Sequence, residues 1–164
     1  SSKLKYDHNK LLYDIENLNE IIHRFSLIAI KDDFETFSNK FLLYYDAVWK
    51  CWFFFSFSTT DYDNEESIIQ RLSNKLKVNR DCISLKYITT RIQPKFSERD
   101  QVQKVYQHSL YIGKISDFPP DMLCNEFEID GTRYKWWTIE EMEQDIEIME
   151  KNRDVVSFVK EKIN

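Results

Sequence analysis

The sequence is poor in the two residues that most often shape ligand loops. Its 164 residues include 2 Gly and 3 Pro, where average usage would give roughly 11 and 8. A phosphate-cradling loop needs several glycines close together, because side chains block the approach of the backbone. Gly113 and Gly131 stand far apart, which excludes a P-loop and a dinucleotide-binding fingerprint. Cysteine is scarce too. Cys51, Cys82 and Cys124 make no CxxC pair and no zinc spacing, so three reduced thiols in a cytoplasmic compartment are expected. No uncharged apolar run reaches the roughly 18 residues of a membrane span, and the densest, residues 48–57, is interrupted by Lys50. No signal peptide is visible. The chain opens on Ser1-Ser2 without Met, which suggests an excised fragment. HExxH, GxSxG and HxE…PCxxC patterns are absent, and His8, His23 and His108 are dispersed, so no metal centre and no catalytic residue is expected from these motifs.

What is present is apolar and aromatic. The hydrophobic fraction is 42%, with 12 Phe, 9 Tyr and 4 Trp. The length suits one domain with a sizeable core. A net charge of -5 disfavours long nucleic acid as a partner, since that binding leans on phosphate neutralisation. It leaves room for a small anion in a local basic pocket.

Residues 10–30 read as an amphipathic helix, with Leu11, Ile15, Leu18, Ile22, Phe25 and Ala29 in a heptad-like stripe. It either packs on its own domain or forms a dimerising stalk, and residues 1–35 are set apart as a linker helix before a domain of residues 36–164. Residues 41–58 read as one strand apolar on both faces, hence central in a sheet covered on both sides. Lys50 on that strand is the anomalous charge, since a buried lysine needs a partner or a ligand; Trp49 reads as core. Asp63 and Glu66 suggest a capped helix with the stripe Ile68, Ile69, Leu72 and Leu76. Strands follow over residues 82–92 and 102–115, joined by a polar connection opened by Pro94. Asp130-Gly131 predicts a hairpin turn. Thr138 and Glu141 form a capping box, and Asn152 interrupts the C-terminal helix. The acidic run from Glu140 to Glu150 reads as a solvated helix face.

The segment Tyr134-Lys135-Trp136-Trp137-Thr138-Ile139-Glu140-Glu141-Met142 resembles the Arg/Lys-Trp-x-x-x-x-Glu-Leu pattern that closes many Nudix domains. Together with the order strand, helix, strand, strand, hairpin, helix, it implies a Nudix-like α/β fold: a mixed sheet sandwiched between helices. The Nudix box, G-x5-E-x7-R-E-U-x-E-E-x-G-U with U aliphatic, aligns when its last aliphatic is set on Val78. Leu72 then fits. The arginine falls on Gln70, the next glutamate on Arg71, and the paired glutamates on Asn74 and Lys75. Magnesium prefers hard oxygen ligands, so this alignment leads to the expectation of a chain that is not an enzyme. Glu65 and Glu66 either complement the helix dipole or hold a displaced metal site.

More specifically, the chain resembles the SMODS-associated Nudix domain. The matching stretches are Tyr44-Asp46-Ala47-Val48-Trp49 in order, Lys95-Phe96-Ser97, Tyr106-x-His108-x-Leu110-Tyr111, Phe127-x-Ile129-Asp130-Gly131, Tyr134-Lys135-Trp136-Trp137 and Lys151-Asn152-x-Asp154-Val155-Val156. The resemblance implies a sensor for a cyclic oligonucleotide messenger in bacterial antiphage signalling, tethered to the membrane by a transmembrane segment upstream of this chain. No cofactor is implied. The residues expected to hold the ligand are Lys50, Arg91, Lys95, Ser97, Tyr106, His108, Tyr111 and Trp136: cations and hydroxyls for phosphate, aromatics for a base. Tyr106 and His108 share one strand face and Tyr111 the other. Trp136 and Trp137 also point apart, one to the core and one over a pocket. Two rival readings stand beside the sensor: a divergent magnesium-dependent hydrolase of nucleoside diphosphate derivatives, and a protein-interaction domain that dimerises through the N-terminal helix.

Overall fold

In the computed structural model, which describes residues 20–32, 39–97 and 100–163, the first described element is a strand. Strand β1 (Glu20–Lys31) lies inside a mixed sheet and has β6 (Val102–Ile115) parallel along one edge, from Glu20 opposite Gln103 to Ile30 opposite Gly113. This corrects residues 20–30 of the helix expected over residues 10–30. Ser26 to Ile30 are all buried, so the strand is covered on both faces and its apolar residues run continuously. A continuous run satisfies a helical stripe as readily as a buried strand, and hydrophobic period cannot separate the two. The remainder of the expected stalk, with Leu11, Ile15 and Leu18, lies outside the described residues.

The other strands are β2 (Phe41–Asp46), β3 (Cys51–Phe53), β4 (Phe55–Ser58), β5 (Ile83–Ser97), β7 (Glu126–Ile129) and β8 (Thr132–Trp137). Their order is β5-β6-β1-β2-β8-β7, with β3 on β2 and β4 on β1. The single strand expected over residues 41–58 is therefore a strand, a turn and a broken strand. The turn exists because Asp46 Oδ1 accepts the N–H groups of Val48 and Trp49 at 2.9 and 3.0 Å, an Asx-type closure. Lys50 completes the turn at φ 54. Trp49 is thereby 62% exposed, not core. Pro94 does not end β5, because β5 is an edge strand and an edge tolerates the missing donor.

Helix α1 (Asn64–Leu76) covers one sheet face through Ile68, Leu72 and Leu76, which pack with Ile28, Ile30 and Phe55. The capping box expected at Asp63 does not form. Asp63 is left-handed and makes no side-chain cap bond. Asn64 anchors this end instead: it accepts from the Thr60 N–H and donates to Ser26 Oγ and the Tyr111 hydroxyl, all at 3.0–3.1 Å. The other face is covered by α2 (Ile139–Gln144) and α3 (Ile146–Ile163), where Met142, Ile148, Val156 and Val159 meet Leu27, Ala29, Phe41 and Leu43. The α2 capping box is present as expected, and α3 is broken at Asn152 (φ -140, ψ 19). The result is the expected mixed sheet between helical layers. No described helix is long and apolar enough to cross a membrane.

Candidate ligand-binding cleft

Strands β1 and β2 pair only at Ile30 with Leu42 and Lys31 with Phe41. Beyond those two rungs they splay, and the residue 51–58 segment crosses between them, pairing first with β2 as β3 and then with β1 as β4. The splay opens a cleft with three connected parts.

The largest part is a cavity of about 620 Å³, lined on one wall by Phe25, Tyr106 and His108 and on another by Trp49, Phe53 and Lys151. Parallel pairing sets His23 beside Tyr106 and Phe25 beside His108. The four rings lie nearly parallel, with centroids 5.2 Å apart for His23 and Tyr106 and 6.0 Å apart for Phe25 and His108. Lys151 Nζ donates to the Trp49 carbonyl oxygen at 2.6 Å and to the Glu147 carboxylate at 2.8 Å, which fixes the Trp49 turn against α3.

A second cavity of about 480 Å³ shares His108, Lys151 and Asn152 with the first and adds Arg91 and Arg153. Arg91 Nη1 donates to the Asp154 carbonyl oxygen at 3.3 Å, and its guanidinium carbon lies 4.5 Å from the centre of the Phe158 ring. Arg91 Nε and Nη2 are buried with no hydrogen-bond partner among the described residues.

A third cavity of about 450 Å³ lies against α1 and shares Tyr44, Asp46 and Ser56 with the first. Arg71 and Lys75 reach it from the helix, Thr132 and Tyr134 from β8. Burial raises the Tyr44 and Tyr134 hydroxyls above their ordinary pKa, so both phenols remain protonated donors.

The expected ligand residues divide accordingly. Arg91, Tyr106 and His108 come together in the cleft. Lys50 is exposed on the turn instead of buried on a strand, so the argument that a buried charge must be satisfied does not apply to it. Tyr111 faces α1 and is bonded to Asn64, away from Tyr106 and His108. Trp136 is fully buried and donates Nε1 to the Met122 carbonyl at 3.3 Å; Trp137 is buried as well, so neither indole covers a pocket. The backbones of Lys95 and Ser97 lie in β5, opposite Lys104 and Val102. Sequence reading missed Trp49, Lys151 and Asn152 as a group. The available signal was Asn152 breaking a helix directly after a lysine.

Magnesium ligands would have to come from α1 if the site followed the box. Gln70, Arg71, Asn74 and Lys75 do not fit that ion, because two are cations and the other two are bonded to each other, Gln70 Nε2 to Asn74 Oδ1 at 2.9 Å. Among the described residues no group of three or more His, Cys, Asp or Glu is placed to hold a metal. Glu66 is paired with Arg80.

No protein-family model matches the sequence, and no curated protein matches it. Solved structures do match the fold. A hydrolase of the NUDIX family from Clostridium perfringens superposes with a TM-score of 0.52 at 14% identity, covering 85% of this chain and 94% of that one. The NUDIX domain of Shewanella oneidensis NrtR, solved with ADP ribose, superposes at 0.50 with 13% identity, covering 88% and 89%. The fold is the Nudix fold. The expectation that the chain is not an enzyme is corrected by this result. It rested on the residues aligned with one helix, whereas the scaffold is one that hydrolases use. Function resides in the site and not in the fold, and a carboxylate, Asp46, borders two of the three cavities.

Proposed function

We propose that the cleft binds a nucleotide, and that the nucleotide is a cyclic oligonucleotide messenger of the bacterial antiphage signalling that the sequence resemblance implies. One observation carries this reading. The rank of rings ending in Phe25, Tyr106 and His108 faces the same space as Lys151 and adjoins Arg91. Aromatic walls stack bases of any identity, while cations beside them take phosphate. The unpartnered N–H groups of Arg91 add support, since buried donors normally have acceptors. The adjoining cavities of about 620 and 480 Å³ suit a ligand larger than one nucleotide, given that drug-sized ligands occupy roughly 300–1,000 Å³.

A second reading is hydrolysis of a nucleoside diphosphate derivative. It is favoured by the hydrolase scaffold and by the NrtR domain, whose bound ADP ribose is such a compound.

One experiment separates them. Thermal melts are run with cyclic di- and trinucleotides, linear dinucleotides, ADP and ADP-ribose, with magnesium or with EDTA, and each nucleotide is then analysed by chromatography. A ligand at 100 times its Kd adds about 2.7 kcal/mol, or roughly 5–10 °C for a chain of this size. Stabilisation by a cyclic oligonucleotide recovered intact supports the messenger reading. Magnesium-dependent cleavage of ADP-ribose or a dinucleotide establishes the hydrolase. No shift and no cleavage with any nucleotide overturns both.

A further inference from the structure

We propose that Arg71 and Lys75, with the hydroxyl groups lining the same cavity, form a metal-independent binding site for a phosphate or pyrophosphate group. Ile68, Leu72 and Leu76 face the sheet, which places positions 71 and 75 one above the other on the adjoining face. Both side chains line the cavity of about 450 Å³ beneath them. Like charges four residues apart on a helix repel each other, and an anion held between them relieves that repulsion.

Just beyond this helix Lys77 is paired with Asp130 and Arg80 with Glu66, yet neither Arg71 nor Lys75 has a carboxylate partner among the described residues. The carboxylate bordering this cavity is Asp46, and its Oδ1 is already committed to the Val48 and Trp49 N–H groups. Arg71 is held in place without an anion: its guanidinium carbon sits 5.5 Å from the centre of the Phe57 ring, a cation–π contact that leaves the N–H groups at its rim free. Ser56, Thr132 and the protonated hydroxyls of Tyr44 and Tyr134 complete a lining rich in donors. A guanidinium, an ammonium and several hydroxyls match the oxygens of a phosphate and repel a divalent cation. With two cations against the single carboxylate of Asp46, the lining favours an anion over a divalent cation. The site rests on the nucleotide reading only for what carries the phosphates; the anion chemistry stands by itself.

The test uses inorganic pyrophosphate in EDTA, titrated by calorimetry into the wild-type chain and into Arg71→Ala, Lys75→Ala and Arg71→Lys, with Lys86→Gln on exposed β5 as control. Circular dichroism checks that each variant is folded. Saturable binding without metal is expected, weakened at least about tenfold by either alanine change, since bonds to charged groups contribute about 1.5–3 kcal/mol. Arg71→Lys falls between, because the charge remains while the fork is lost. The control binds like wild type. No saturable binding to the wild-type chain, or equal affinity in the alanine variants, overturns the site. Pyrophosphate bound with no nucleotide bound anywhere in the cleft leaves the site standing and removes the messenger reading.

Discussion

Lys151, on the helix α3, donates its ammonium to the carbonyl oxygen of Trp49, 102 residues earlier in the chain. That bond ties the turn between β2 and β3 to the helix one residue before its break at Asn152. The Glu147 carboxylate beside it raises the Lys151 pKa above its ordinary value, so the tie holds across the neutral range. Trp49 is 62% exposed, whereas Trp52, Trp136 and Trp137 are each at 9% or less. Acrylamide quenching of native fluorescence therefore reads chiefly this turn. Lys151→Met is expected to steepen the quenching while the melting temperature changes little. Identical quenching in the variant and the wild type would show that the bond does not restrain the turn.

Trp136 belongs to the core and not to the ligand. Its ring meets Phe118 edge-on at 5.7 Å and its Nε1 reaches the Met122 carbonyl. Trp136→Ala is expected to lower stability by about 3–5 kcal/mol in urea denaturation, and Trp136→Phe by less. A Trp136→Phe chain of normal stability that has lost nucleotide affinity would contradict this placement.

Gly113 lets β6 lie against β1. A Cβ at this position would stand 3.0 Å from Ile28 Cγ2 and 3.2 Å from Ile30 Cγ1, and both isoleucines are fully buried. Gly113→Ala is expected to cost about 1–3 kcal/mol through overpacking, visible as a lower urea midpoint. An unchanged midpoint would mean that the two strands move apart freely.

The α2 cap carries a pH dependence of known sign. Burial alone would raise the Glu141 carboxyl, but the Thr138 N–H and hydroxyl, with Lys40 and Lys135 nearby, bring it below its ordinary 4.5. A folded pKa below the unfolded one means stabilisation that is complete above 4.5 and fades as pH falls through the lower folded value. Thr138→Ala is expected to cost about 1 kcal/mol at pH 7. The stability gap between wild type and Glu141→Gln should close as the solution is acidified below pH 4.5. A gap that widens on acidification would reverse the assignment.

The short-range features were readable without coordinates. Asp130 and Gly131 adopt positive φ in the β7–β8 turn, as the dipeptide predicts. The Thr138 cap, the Asn152 break and the stripe of Ile68, Leu72 and Leu76 are local in the same sense, each set by residues within about one turn of helix. Leu72 is also where the box alignment and the observed core agree. The face-sharing of Tyr106 and His108 followed from strand geometry alone, and both line the cleft.

Long-range partners decided the rest. Residues 20–31 could satisfy a helix or a buried strand, and the choice fell to β6, more than 80 positions away, which offers a parallel edge to β1. Lys50 looked buried because its neighbours are apolar, but Asp46 closes a turn there and turns it out to solvent. Trp49 and Lys151 are distant in sequence and meet only because α3 packs across the sheet. Local chemistry therefore determined where the chain turns, caps and alternates, because those preferences are settled by neighbours along the backbone. The cleft belongs to the tertiary structure, because it exists only where β1 and β2 splay and bring together walls that no stretch of sequence contains.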